Sequence, residues 1–254
     1  MPAPRFLLAL VALAAFAGGL VNAIAGGGSL ITFPTLVALG IPPVIANVTN
    51  TVALCPGYFG ATIAQRGDLA GQRARLVLLL PLGAVAGAGG ALLLLATGES
   101  TFTAVVPFLI LLAAILVGLQ GKMRTWITRR EVGARSESLA AIPVTIAAVY
   151  GGYFGAGVGV IILAALGVVL ADTLTRLNAL KQTISLTVNI TAAIVFAIRA
   201  PVDWTLALVM AGGALAGGLA GGALASRIPA QALRWGIVVL GTAIATVYFV
   251  RAYA

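Results

Sequence analysis

The chain contains no histidine, a single cysteine and only six acidic residues among 254. Histidine is the commonest metal ligand and the side chain that titrates nearest neutral pH, so both roles are missing. Cys55 stands alone in an apolar run, which rules out a disulfide and a Cys-x-x-Cys redox pair. Asp68, Glu99, Glu131, Glu137, Asp172 and Asp203 all fall at loop or span-end positions, so no pair of acids lies inside an apolar segment. The phosphate-binding run GxxxxGKS/T is absent, and Gly155-x-Gly157-x-Gly159 does not have the GxGxxG spacing of a dinucleotide site. An ATP-driven pump and an intramembrane enzyme are thereby set aside, leaving a facilitator, a secondary carrier or a channel. No cofactor and no metal site is expected.

What the chain does contain is apolar sequence. Hydrophobic residues make up 61% and charged residues 8%, with a mean hydropathy of +1.13. A soluble core cannot absorb that much apolar surface, whereas a bilayer can. The net charge of +9 comes from basic residues in short loops between apolar runs. Membrane orientation explains that placement better than nucleic acid does. The expected class is an all-α polytopic membrane protein with the lipid bilayer as its surroundings and no nucleic-acid partner. The first 25 residues resemble a secretory signal, but the apolar run continues past them and recurs in the second half. They are therefore retained in the fold.

Apolar stretches fall at 6–40, 44–65, 76–97, 101–121, 139–172, 178–199, 204–225 and 232–250. Six suit one crossing each, while 6–40 and 139–172, about 35 residues each, exceed the roughly 20 that span a hydrocarbon core. Both carry glycines at their centres, GGLVNAIAGGGSLI (18–31) and GGYFGAGVGVI (151–161). Each is read as a helical hairpin that returns to its own face, with one long kinked helix as the alternative. Non-helical backbone at that depth needs protein or a water-filled cavity around it. Two repeats follow, residues 1–121 and 139–254, joined by a basic linker at 122–138. Each repeat is a Gly-broken hairpin plus three transmembrane helices, and the two are expected to be inverted. With hairpins, twelve of the 15 basic residues share the linker's side and only Arg5, Arg199 and Arg251 lie opposite. Single crossings give eleven against four, so charge alone does not choose. The linker is expected in the cytoplasm.

The repeat has further support. Asn47 matches Asn178, and Gly83 and Gly87 match Gly213 and Gly217 at one constant offset. These small faces read as helix-packing surfaces, within the chain or in a homo-oligomer. Asn47, Thr49 and Asn50 form a polar patch early in one span; Asn178, Lys181 and Gln182 do the same in its counterpart, with Asn189 beyond. Lys181 is the sharpest of these, because a charge inside a membrane segment is expensive and reads as functional by default. Snorkelling to the surface is its bland alternative. Gly28-Ser29 looks like a helix start, with Ser29 able to cap it. A half-helix starting there would aim free N–H groups and a positive dipole inward. The expected substrate site therefore comprises Asn22, Gly27, Gly28, Ser29, Asn47, Thr49, Asn50, Gly155, Gly157, Gly159, Asn178, Lys181, Gln182 and Asn189. Amide donors with one Lys suit a small oxyanion, and without carboxylates the site is poor for a metal cation.

At these residues the sequence resembles the TauE/SafE family of sulfite and organosulfonate exporters. AGGLVNAIAGGGSLITFPTLVALGIPPVIANVTN (17–50) carries the family's Gly-rich, Pro-Leu and Thr-Asn pattern. GGYFGAGVGVIILAALGVVLADTLTRLNALKQ (151–182) ends on an equally typical Asn-Ala-Leu-Lys run. The resemblance covers nearly the whole chain. It implies an inner-membrane transporter that moves small sulfur anions outward, with the Gly clusters and Asn/Lys patches facing substrate. Asn22 stands where many members carry Asp, which takes away a coupling carboxylate at that position. An anion channel and a non-transporting membrane scaffold are the competing readings.

Overall fold

The computed structural model describes residues 5–129, 137–224 and 230–253. All regular structure among them is helical: α1 (Arg5–Ile24), α2 (Ser29–Ala38), α3 (Pro43–Ala64), α4 (Arg73–Arg129), α5 (Ala141–Tyr153), α6 (Val158–Val169), α7 (Leu174–Arg199), α8 (Trp204–Leu224) and α9 (Ala230–Tyr253). Two short 3-10 turns lie at Arg66–Leu69 and Glu137–Ala140. Four described helices are long and apolar enough to cross a membrane, namely α1, α4, α7 and α8. Helix α4 is two spans in series, because Gly98 adopts φ 73° and ψ 175° and breaks the helix there. Of the proposed linker, residues 122–129 continue α4 and residues 130–136 lie outside the described residues.

The long stretches 6–40 and 139–172 are helical hairpins. Residues ten apart in one continuous helix would be roughly 15 Å apart. Instead, a methyl group placed on Gly28 would lie 2.0 Å from the Gly18 carbonyl oxygen, so α2 folds back on α1. In the second hairpin, a methyl on Gly151 would meet Val158 at 2.7 Å. One device ends the first helix of both. The Gly26 amide donates to the Val21 carbonyl at 3.0 Å, and the Gly155 amide donates to the Tyr150 carbonyl at 3.2 Å. Both glycines sit at positive φ, 76° and 79°, where a left-handed residue closes a helix end.

Named contacts fix the directions of the remaining helices. Gly213, Gly217 and Gly221 of α8 abut Ala12, Phe16 and Leu20 of α1 in ascending order, so these two helices run parallel. Gly57 and Ala61 of α3 meet Ala214 and Gly222 of α8, again parallel. On the other side, Arg75 pairs with Glu137 just before α5, and Thr97 reaches the Tyr153 hydroxyl at its end. Gln72 bonds the Arg176 carbonyl while Gly87 packs on Val188, so the first half of α4 parallels both α5 and α7. Helices α3 and α7 run opposite ways: Gln65 at the end of α3 bonds Asn178, and Thr49 near its start bonds Asp203, beyond the end of α7. The second half of α4 likewise opposes α9, through Phe108 on Phe249 and Gly118 on Val238.

The result is two interlaced bundles. One holds α1, α3 and α8; the other holds the first half of α4, α5 and α7. Each bundle borrows a helix from the other half of the sequence, so the two repeats are not separate bodies. The glycine faces of α4 and α8 are occupied in making these bundles.

At the linker end, three loops are tied by charge. Arg75 bonds Asp172 at 2.5 Å and Glu137 at 2.9 Å, and Arg176 bonds Asp172 at 2.8 Å. Burial alone would raise the Asp172 pKa. The Arg75 and Arg176 guanidinium groups and the Thr173 amide outweigh it and hold the carboxyl below its ordinary value. A depressed folded value stabilises the fold above the unfolded Asp pKa of about 3.9 and is lost as pH falls through the folded value. Thermal melting should therefore drop below about pH 4. Asp172→Asn should lower stability at pH 7 by about 2 kcal/mol and flatten that acid limb.

Candidate functional site

The two hairpin tips meet. A methyl on Gly26 would lie 3.3 Å from the Val160 amide nitrogen, and one on Gly159 would lie 3.6 Å from the Gly26 Cα. The Lys181 stem runs over this junction, 3.5 Å from the same point on Gly159. Glycine at both positions is what lets two backbones and a lysine stem share the space. Lys181 is 1% exposed, so it does not snorkel to the surface. Its Nζ lies 3.5 Å from the Asn22 carbonyl oxygen.

Donors from α7 and α4 converge on the carbonyl end of α1. Gln182 Nε2 bonds the Asn22 and Ala23 carbonyls at 3.2 and 3.1 Å, and Asn178 Nδ2 bonds Ala23 at 3.4 Å. Gln120 donates to the Ala25 carbonyl. A helix leaves its last carbonyls without partners and its dipole negative at that end, so amides and a cation are the groups that fit. The Asn22 side chain joins the break internally, its Oδ1 accepting the Gly28 amide at 2.8 Å. Ser29 opens α2 without capping it; Asn22 supplies that hydrogen bond instead.

The second tip mirrors the first in part. Asn47 Nδ2 bonds the Tyr153 carbonyl at 3.0 Å, as Asn178 bonds that of Ala23. Each repeat-related Asn thus closes the broken helix of the opposite half. Tyr150 braces this tip by donating its hydroxyl to the Ala156 carbonyl at 2.6 Å. Phe154 at the break packs edge-on against Phe33 of α2, with ring centres 5.3 Å apart. The rest of the expected set divides. Gly27, Gly155 and Gly157 hold positive φ at the breaks, and Gly28 is the packing point on Gly18. Asn189 donates its amide to the Ser185 carbonyl at 2.9 Å, and its side chain and that of Asn22 lie beside the buried Tyr58 hydroxyl. Thr49 is elsewhere: its hydroxyl accepts the Asp203 amide at 3.0 Å in the loop before α8. Asn50 is buried at 2% exposure.

Sequence reasoning missed Gln65, Gln120, Tyr58 and Tyr150. The glutamines were visible as lone amides at the ends of apolar stretches, which is the signal that would have found them. The tyrosines carried none. A separate groove of about 630 Å³ opens between α4 and α9, lined by Gly118, Gly121, Lys122, Thr125, Trp126, Gln231 and Trp235. Among the described residues no cluster of His, Cys, Asp or Glu suited to a metal occurs.

Broken helices meeting tip to tip inside a polytopic bundle define a helical membrane transporter. The comparisons specify it. The family described as sulfite exporter TauE/SafE matches residues 11–248, and the chain belongs to that family. A probable membrane transporter protein (ORF9) of Sinorhizobium sp is 30% identical, with 94% of this chain and 91% of that protein covered. A probable membrane transporter protein of Haemophilus influenzae is 27% identical over 83% and 82% of the two chains. The probable membrane transporter protein YfcA of Escherichia coli is 26% identical over 83% and 78%. No solved structure matches.

Proposed function

We propose that the chain carries small sulfur oxyanions, such as sulfite or a short organosulfonate, across the bacterial inner membrane by alternating access. The observation that carries this reading is the tip-to-tip junction of the two hairpins with buried Lys181 laid across it. The first turns of α2 and α6 start at this junction, so two positive dipole ends and an ammonium converge where an anion would sit. The family's description supports sulfite as the first anion to try. Burial of Asn22, Ser29, Lys181 and Gln182 supports an occluding carrier over an open channel.

The antiparallel courses of α3 and α7 support inverted repeats. The parts that rock would then be the interlaced bundles, not residues 1–121 against 139–254. The loops tied by Arg75 and Arg176 lie at the linker end, and the positive-inside rule puts that end in the cytoplasm. An inside-negative potential then favours anion exit by roughly 2.3 kcal/mol per charge per 100 mV. Binding is tested by thermal unfolding in detergent with graded sulfite. At 100 times its dissociation constant an anion should add about 2.7 kcal/mol, and Lys181→Met should lose most of that gain. An equal gain in both proteins would remove Lys181 from the site.

A further inference from the structure

The two tips are alike in their amides and unlike in their charge. The interval that relates Asn47 to Asn178 also relates Asn50 to Lys181 and Thr51 to Gln182. At the carbonyl end of α1, Asn178, Lys181 and Gln182 form one face of α7 and all donate to Asn22 or Ala23. At the carbonyl end of α5, among the described residues, the Asn47 amide does the matching work, on Tyr153. The Thr51 hydroxyl turns back to the Asn47 carbonyl in its own helix. Asn50 stands where the ammonium would be, on the helix face of Asn47 (i, i+3).

The side-chain oxygens of Asn47 and Asn50 are buried and have no hydrogen-bond partner among the described residues; those of Asn178 and Gln182 at the first tip share this, but there the Lys181 ammonium is at hand. Asn47 and Asn50 are 0% and 2% exposed. At the last turn of α5 the chain breaks after Tyr153 and the Gly155 amide turns to the Tyr150 carbonyl, while a Cβ at Gly155 would lie 3.1 Å from the Gly151 oxygen. Leaving two buried amide oxygens unsatisfied costs roughly 1–3 kcal/mol each, a cost that a bound donor or cation would relieve. A donor from the protein is not what the register supplies.

We propose that a small monovalent cation of the sodium class binds here, between the Asn47 and Asn50 side-chain oxygens and the terminal carbonyls of α5. It occupies the role that the Lys181 ammonium fills at α1. Neutral oxygen ligands at the carbonyl end of a half-helix suit a monovalent ion, and the lack of a carboxylate disfavours a divalent one. This revises the expectation of no cation only for the second tip and only for a single charge. It rests on the paired-tip geometry and does not require the anion to be a sulfur compound.

The test is thermal unfolding of the detergent-purified chain in NaCl, KCl or choline chloride at constant chloride and ionic strength, with no sulfur anion present. The expected result is a saturable rise in melting midpoint with Na+, on the order of 5 °C at saturation, that choline does not give. Asn50→Lys places an ammonium in the site and should abolish the rise. Asn50→Ala should shift the half-saturating Na+ concentration upward at least about 10-fold, the equivalent of one lost ligand. No cation-specific rise in the parent protein, or an undiminished rise in Asn50→Ala and Asn50→Lys, would overturn the proposal. Because sulfite is absent throughout, failure here leaves the anion reading standing. Conversely, a sodium effect without sulfite flux would count against the anion alone.

Discussion

Lys181→Met should cut anion flux by about 10- to 100-fold while leaving the protein folded. Met keeps the length of the stem and its packing over Gly159, so the junction of the two tips is not emptied. What is removed is one positive charge at the carbonyl end of α1 and beside the starts of α2 and α6. A charge-assisted contact to a bound anion is worth about 1.5–3 kcal/mol, which is the stated loss in rate or affinity. Stability responds to two opposed terms. The helix end loses up to about 2 kcal/mol of dipole compensation, and the protein is relieved of desolvating an ammonium, which is several kcal/mol. The melting midpoint should therefore move by only a few degrees in either direction. Parallel flux and melting curves check both halves, and a protein that fails to fold would assign Lys181 to the scaffold.

Gly218→Ala should strongly impair folding. Its new Cβ would lie 2.0 Å from the Gly57 carbonyl oxygen and 2.9 Å from the Gly57 Cα, both of them backbone of α3. Nothing there can rotate away, so α3 and α8 must separate. Overpacking of a tight core costs about 1–3 kcal/mol, and rigid backbone on both sides puts this case at the upper end. Helix α8 also carries its own control. Gly212 is exposed, with nothing within 4 Å of its would-be Cβ. Gly212→Ala should be neutral or stabilising by about 0.5–1 kcal/mol through helix propensity. Yield and melting midpoint of the two variants, side by side, separate close packing from any general intolerance of α8 to side chains.

Much of this arrangement was legible from residue types. Glycines at the centres of stretches too long for one crossing imply broken helices, and both breaks are where the clusters are. The match of Asn47 to Asn178 named a pair with one shared task. What each Asn bonds was not legible, since its partner carbonyl belongs to the other half and no local pattern records it. For the same reason the polar patches looked like substrate ligands in full. In the structure several of their N–H groups close helix ends, while Lys181 carries the charge and the side-chain oxygens of Asn47, Asn50, Asn178 and Gln182 are left without a hydrogen-bond partner. Interlacing was hidden as well. A repeat in sequence says that two units are alike, but not that α1 will find its closest partner in α8. Thr49 shares a spacing with Asn47 and Asn50 that fits one patch, and its bond to the loop before α8 was likewise not written in any local pattern.

Sulfite efflux from proteoliposomes, under an imposed inside-negative potential with no pH gradient, tests the transport claim most directly. The account predicts saturable efflux that rises with the potential and falls by about 10-fold or more in Lys181→Met. Efflux unaffected by that substitution, or no efflux of sulfite or sulfoacetate under any potential, would contradict it.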